Sequence, residues 1–568
     1  MYSRQLATVH LRLLPLPQST IMLQLHPEQI AQRLDQLTEL SVELGRGAAA
    51  GMLHGGDITP LLERIVLVAK DMTGADGGTL YRPSADGHSL EFHISINDSL
   101  GLRQGASAGV AVGVPGVALW LEDGAPNLAS VAAYAAHRRV SVNIDDVYQS
   151  GEFNFSGMRA FDGHYGYRST SFLTVPMSDH EGELIGVLQL INAQDRATGA
   201  VQAFSATDQR FIEALAAQAA VALTNQLLLR QLEQLLESLV NLINIGIDEK
   251  SPYTGRHCQF VPQLTMMLAD AVHAVDTGPM AAFQLSENER KQLWLAGLLH
   301  DCGKITTPVH VVDKATKLET IHDRIHLVDT RFEVLLRDVE ITALKDQLAA
   351  PERQQEIAQA LHQQQIVLRE ERDFLRHANI GGEGMSPADQ ERVRTIAARR
   401  WTGPDGVERD FLDANELENL TIRFGTLTDA ERKIINNHIA VSIRMLEALP
   451  WPKHLQKVPE YAGGHHERMD GNGYPRGLTR EQMSVPARLM AIADIFEALT
   501  ARDRPYKKGK SLSESLRILG HFSLNGHIDP DLFDVFIRSK VYLAFARQHM
   551  HSEQIDAVDE AAIPGYVP

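Results

Sequence analysis

Two adjacent histidines followed by a glycine-rich turn, His465-His466-Glu467-Arg468-Met469-Asp470-Gly471-Asn472-Gly473-Tyr474-Pro475, constrain this chain more than any other stretch. They complete a metal-ligand set begun at His300-Asp301, so the fold must carry segments far apart in sequence to one point. Further candidate ligands are His257 in YTGRHC, His438 in IINNHIAV and Asp494 in AIADIFEALT. Each piece alone is weak, since a lone histidine on an apolar helical face is more often a hydrogen-bonded core residue. Together, imidazoles and carboxylates suit first-row transition ions such as iron, manganese or nickel better than calcium, which takes oxygen ligands. Successive residues on a helix point about 100° apart. Asp301 is therefore expected to face a different ion from His300 and to bridge the pair, while His465 and His466 approach one ion from one turn.

The 568 residues suffice for two or three domains with cores of their own. With 44% hydrophobic and 22% charged residues the chain reads as globular. A net charge of -18 disfavours long nucleic acid as a partner. The two cysteines, Cys258 and Cys302, cannot build a disulfide framework, which points to a reducing cytoplasm. No apolar run is read as approaching the roughly 18 residues of a membrane span, so no membrane insertion is expected.

The pattern implies an α+β multidomain protein. Residues 1–56 form a weakly patterned extension with a helix expected over Pro27–Leu44. From 57 to 228, a helix (LLERIVLVAKDMTGA) precedes alternating segments GTLYRPS, LEFHISIN, SFLTVPM and LIGVLQLINA, as in an antiparallel sheet flanked by helices. A closing helix from about Thr207 runs on through a connector at 229–244, where Leu229, Leu232, Leu236, Leu239 and Ile243 recur at three- and four-residue steps. That spacing is expected either of a single amphipathic helix on its own domain or of a parallel coiled-coil seam in a homodimer. Residues 245–550 read as all-α, with 551–568 as a tail. Within them a charged insertion at about 315–424 carries two long periodic segments, expected to pack as a helical hairpin.

Residues 245–318 and 425–545 resemble the HD-GYP family of HD-domain phosphohydrolases. The likeness is carried by HDCGK, HHERMDGNGYP, PYTGRH, LTDAERKIINNH and ADIFEALTARDRPYKK. The resemblance implies hydrolysis of cyclic di-GMP to the linear dinucleotide pGpG or on to GMP. It places one ion on His257, His300, Asp301 and Asp494, and the second on Asp301, His438, His465 and His466. Two ions about 3.5–4 Å apart can clamp a phosphodiester and lower the pKa of a bridging water toward about 7. Lys304, read as one helical turn beyond Asp301, is expected to neutralise phosphate charge. Gly471 and Gly473 are expected to supply positive φ in a loop that lines the substrate site with Tyr474. Arg504, Tyr506, Lys507 and Lys508 form a basic patch suited to guanine or phosphate, or equally a solvated charge run. In the family this loop is also implicated in contacts with partner proteins. The insertion is a candidate lid, docking arm or dimer clamp.

The chain departs from the family pattern in places. Some relatives bind a third metal through a glutamate where Tyr253 stands, which implies a binuclear centre here; Glu249, farther off, is left open as a substitute. Pro262 falls inside the helix of His257, where a bend near Cys258 is expected. Residues from Ile58 to Leu228 resemble a GAF domain, a fold that binds small ligands in a pocket over its sheet. Cyclic-nucleotide-binding members carry Asn-Lys…Phe…Asp-Glu; Asn192, Ala193, Phe204, Asp208 and Gln209 occupy those places, so the lysine that could pair with the aspartate is missing. Two rival readings stand beside the enzyme: a metal-retaining adaptor acting through the GYP loop and insertion, and a phosphohydrolase of another nucleotide.

Overall fold

A computed structural model describes residues 59–105, 110, 112–250, 255–381, 384–501 and 509–568, together with Ala31, Arg33, Asp35, Thr38, Glu39 and Val42, which are helical. The chain divides into two compact units, Met1–Gln234 and Leu235–Pro568.

In the first unit, helix α1 (Thr59–Thr73) leads into β1 (Ala75–Pro83), β2 (Ser89–Asn97), β3 (Leu102–Gln104) and β4 (Val117–Ala118). Helix α2 (Val131–Arg138), β5 (Val142–Ile144), α3 (Ser156–Tyr165), β6 (Phe172–Ser178), β7 (Leu184–Gln194) and β8 (Val201–Gln202) follow, and α4 (Ala206–Lys250) closes the set. The strands form an antiparallel sheet in the order β3-β2-β1-β7-β6-β5, with β4 on β2 and β8 on β7. The expected alternating segments all lie in these strands. Leu62, Ile65, Val66, Ala69 and Met72 of α1 recur every three or four residues and pack with Leu80, Leu188 and Leu190 of the sheet and Ile212, Leu215 and Ala219 of α4. Gly78 permits the approach, because a Cβ there would lie 2.7 Å from Val66. Beside β1, β2 and β7 lies a cavity of about 510 Å³ whose walls include Tyr81, Phe92, Phe155, Tyr167 and Phe172.

Asn192 holds a left-handed backbone at φ 57. Its carboxamide accepts from the Thr170 and Ser171 amides and donates to Tyr167 Oη and the Arg168 carbonyl, so it staples β7 to the segment before β6. Asp208, lacking the lysine of the nucleotide-binding pattern, is paired with Arg33 at 2.7 Å.

The second unit is mainly helical: α5 (Gly255–His273), α6 (Glu287–Leu299), the short α7 (Val309–Val312), α8 (Ile325–Ala349), α9 (Gln354–Asn379), α10 (Pro387–Ala397), α11 (Ala414–Leu420), α12 (Asp429–Glu447), α13 (Val458–Gly463), α14 (Val485–Thr500), α15 (Leu512–Leu524), α16 (Pro530–Arg538) and α17 (Val541–His549). The insertion holds the expected hairpin of α8 and α9 over a core of its own that includes Phe332, Leu336, Leu368, Leu375 and Phe411. The all-α expectation needs a correction: β9 (Arg400–Thr402) and β10 (Glu408–Asp410) pair antiparallel, joined by a turn in which Gly406 takes φ 76. Pro262 lies inside α5, and the helix runs unbroken past it. Gly297 of α6 faces that ring, where a Cβ would come 3.0 Å from Pro262 Cα.

Helix α4 corrects two expectations. The proposed seam splits: Leu236 and Ile243 pack with Val240 and Ile247 on the core of the second unit, whereas Leu232 and Leu239 are exposed. The helix also contains an 18-residue window apolar enough to cross a membrane by length and composition, with 39% of that window buried. The apolar run is longer than the sequence reading allowed, because leucines serve two faces at once.

Candidate metal centre

Five α-helices and one 3₁₀ turn deliver the candidate ligands. His257 stands in the first turns of α5, His300 caps the C-terminal end of α6, and Asp301 begins a 3₁₀ turn over Cys302–Thr306. His438 lies within α12, His465 and His466 follow α13, and Asp494 lies within α14. The divergence of His300 from Asp301 thus comes from a helix end, where the backbone changes from αR at His300 to φ -100, ψ 9 at Asp301, and not from helical rotation.

Glycines let these segments close. A Cβ at Gly303 would fall 2.0 Å from the His438 carbonyl oxygen, so only glycine brings the 3₁₀ turn against α12. The Gly303 amide donates to Ser442 Oγ at 2.8 Å. Helix α12 begins with a capping box of Thr428 and Glu431, which fixes where His438 falls along the helix.

All seven candidate ligands are brought together. Asp301 Oδ2 lies 3.3 Å from both His257 Nε2 and His300 Nε2, while its Oδ1 lies 3.1 Å from His438 Nε2. Asp494 Oδ1 is 3.1 Å from His257 Nε2 and 3.7 Å from His300 Nε2. His438, His465 and His466 form a further group with ligand atoms within 4.8 Å of one another. The outer nitrogens are occupied: Nδ1 of His300, His438 and His465 faces the carbonyls of Gly297, Ile435 and Ala462 at 2.6–2.7 Å. An Nδ1–H donated outward leaves the Nε2 lone pair free to point inward, as a metal-binding imidazole requires. With Nδ1 donating to the Ile435 carbonyl, His438 Nε2 is an acceptor, so its 3.1 Å approach to Asp301 Oδ1 is no hydrogen bond; these two atoms and His465 Nε2 are buried without a hydrogen-bond partner. Buried polar atoms are seldom left so. The residues therefore fit transition-metal ions.

Electrostatics agree with a cation-binding cluster. Burial pushes the imidazolium form of His257 down, yet the carboxylates of Glu497, Asp301 and Asp494 outweigh it and raise the pKa well above the usual histidine range. Burial opposes ionisation of Asp301, but Lys304 and His300 hold it well below the usual carboxylate range. His466 is pushed down to about 4 by burial, so it is neutral at physiological pH.

Two residues escaped the sequence reading. Glu497, 4% exposed, faces His257 Nδ1 at 2.5 Å. Its three-residue step from Asp494 on one helix face was the available signal. Glu467, 1% exposed, accepts from the Arg476 and Leu478 amides at 2.7 and 2.9 Å and so ties down the loop that follows the histidine pair.

The expected substrate residues divide. Lys304 Nζ is 2.6 Å from Asp301 Oδ2, on a 3₁₀ turn and not a continuing α-helix. Tyr474 stacks on His466 with ring centroids 4.8 Å apart. Gly471 takes φ 77 as expected, but Gly473 does not have positive φ; it is required because a Cβ would lie 2.4 Å from the Arg468 amide nitrogen. Arg504, Tyr506, Lys507 and Lys508 lie outside the described residues. Glu249 is exposed. A cavity of about 440 Å³ reaches the cluster at His466 and Asp494, with Tyr474, Asn472, Lys510 and His527 in its walls.

Residues 57–223 match the GAF domain family, and residues 254–378 and 415–532 match HD domain families. A cyclic di-GMP phosphodiesterase of Pseudomonas aeruginosa is 38% identical over 137 residues, 24% of this chain and 32% of that protein. A 3'3'-cGAMP-specific phosphodiesterase of Vibrio cholerae is 37% identical over 134 residues, 24% of this chain and 30% of that protein. A cyclic di-GMP phosphodiesterase of Thermotoga maritima is 36% identical over 122 residues, 21% and 32% of the two chains. The chain spans about a third of the length of these curated relatives.

Proposed function

Starting from a chain that belongs with the proteins joining a GAF domain to an HD domain, we propose that it is a metal-dependent phosphodiesterase that opens cyclic di-GMP to pGpG or on to GMP. The observation that carries the reading is Asp301, whose two oxygens face two different sets of inward-pointing imidazoles. His257, His300, Asp301 and Asp494 would hold one ion, and Asp301, His438, His465 and His466 the other. The imidazole-rich set suits iron, with manganese or nickel next. Two such ions would supply Lewis-acid charge to the phosphodiester and would activate a water at neutral pH.

The chain's own groups do the rest. Lys304 carries its ammonium beside the cluster, and burial, which would lower its pKa, is overcome by the Asp301 carboxylate, so it stays charged and able to donate to a phosphoryl oxygen. Tyr474 holds the His466 ring by stacking and gives the cavity a flat wall for a base. Lys510 and His527 place hydrogen-bond donors in the same wall. The GAF domain regulates turnover in this reading, with its cavity taking a small ligand. Both cysteines are free and buried, in keeping with a cytoplasmic protein.

Metal-loaded protein incubated with cyclic di-GMP, with products separated by chromatography, tests the reading. Linear pGpG or GMP is expected from the native chain and neither from Asp301→Asn. Intact dinucleotide would favour an adaptor that acts through protein contacts of the GYP loop or insertion. The relative named for 3'3'-cGAMP makes a hybrid cyclic dinucleotide the second substrate to assay.

A further inference from the structure

The wall of the cavity beside His466 and Asp494 also carries Arg468 and His527. Arg468 donates from Nε and Nη2 to the two oxygens of Asp470 at 3.1 and 2.8 Å. Asp470 is fixed in turn by its own amide, which donates to the Gly526 carbonyl at 3.0 Å. Gly526 turns at φ 65, where a Cβ would come 3.2 Å from Asp470 Cβ, and so brings His527 beside the pair. The His527 ring packs on Phe522 with centroids 4.6 Å apart, and burial together with the Arg468 charge pushes its pKa down, which leaves a neutral imidazole. Among the described residues, Arg468 Nη1 has no hydrogen-bond partner. Because Asp470 already answers the Arg468 charge, the pair is a poor anion site; what it presents is a directed donor. Tyr474, with Ile495 and Leu499 of α14, lines the same cavity with aromatic and apolar surface suited to a base.

Given the cyclic-dinucleotide reading of this cavity, on which the step rests, we propose that Arg468, with His527 beside it, reads the N7 and O6 edge of a guanine. Arg468 is then the residue that sets a preference for guanine over adenine. Guanine presents two acceptors along that edge, whereas adenine puts an amino donor where O6 would be. A guanidinium only donates, so adenine sets donor against donor and leaves Nη1 unpaired. The neutral His527 ring adds an N–H to the same edge without adding charge.

Calorimetric titration of the metal-loaded, full-length protein with GMP, AMP and 7-deaza-GMP, which lacks the N7 acceptor, tests this without turnover. The native chain is expected to bind GMP about 5- to 150-fold more tightly than AMP, the range of one bidentate arginine–guanine pair, and to lose part of that margin with 7-deaza-GMP. The Arg468→Gln amide offers an acceptor as well as a donor, the set that suits adenine. In that variant the margin for GMP is expected to vanish, while AMP, whose affinity reports an intact cavity, binds at least as tightly as to the native chain. All three ligands carry the same phosphate, so an anion-binding role for Arg468 would weaken them equally. That equal weakening, a glutamine variant that keeps the preference, or a native chain that binds GMP no better than AMP or 7-deaza-GMP would overturn the proposal. Preference for GMP in a chain that leaves cyclic di-GMP intact would support it and remove the enzyme reading instead.

Discussion

Glu497 gives the most discriminating perturbation of the metal centre. Its carboxylate is buried and touches no other candidate ligand as closely as His257 Nδ1, 2.5 Å away. In Glu497→Ala that nitrogen loses its partner, and His257 loses both its fixed orientation and the charge that raises its basicity. Removing an outer partner of a metal-bound histidine typically costs about 10–100-fold in affinity. At about 1.4 kcal/mol per tenfold, the expected loss is about 1.4–2.8 kcal/mol. Glu497→Gln keeps an acceptor but not the charge and should fall at the lower end. Competition with a chromophoric chelator gives the affinity of each ion separately. The ion assigned to His257, His300, Asp301 and Asp494 should weaken while the other holds. Equal weakening of both, or no change in either, would refute the assignment of Glu497 to His257.

Three further outcomes follow from particular contacts. Gly303→Ala puts a Cβ 2.0 Å from the His438 carbonyl, so the turn must draw back from α12 by more than an ångström; metal stoichiometry should drop, with about 1–3 kcal/mol lost from stability by urea titration. Asn192→Ala strands the Thr170 and Ser171 amides and leaves alanine at φ 57, for an expected cost of about 2–4 kcal/mol in thermal or urea unfolding of the GAF domain. Lys317, inside the insertion and donating to the Leu420 and Ile422 carbonyls, is pushed by burial down to about 8. Between about pH 8 and 10.5 the unfolded chain binds the proton and the folded chain does not, so stability rises with pH across that window. The melting temperature of the native protein relative to Lys317→Met should climb there, and a flat difference would show that Lys317 does not titrate as its surroundings require.

The ligand set was legible because metal chemistry needs particular side chains, and these sit in compact motifs whose spacing survives without coordinates. The sheet was legible too, since strands such as Leu184–Gln194 announce themselves by β-branched and aliphatic runs between turns. Three things were not. Leucines at 228, 229, 232, 235, 236, 239 and 242, with Ile243, fit two interleaved stripes, and only packing decides which one faces the chain's own core. Gly473 was read through φ, but its need is a close backbone approach that no local pattern reports. The β9–β10 pair has three residues a strand and a single apolar side chain, Trp401, so alternation gave no period to read, although Pro404-Asp405-Gly406 marked the turn.

The central claim is that these seven side chains hold a pair of transition-metal ions joined through Asp301. Anomalous diffraction from crystals of the native protein, collected across the iron, manganese and nickel edges, tests it directly. Two peaks are expected, one against each oxygen of Asp301, with His257 on one side and His438 on the other. A single peak, or none within reach of Asp301, would contradict it.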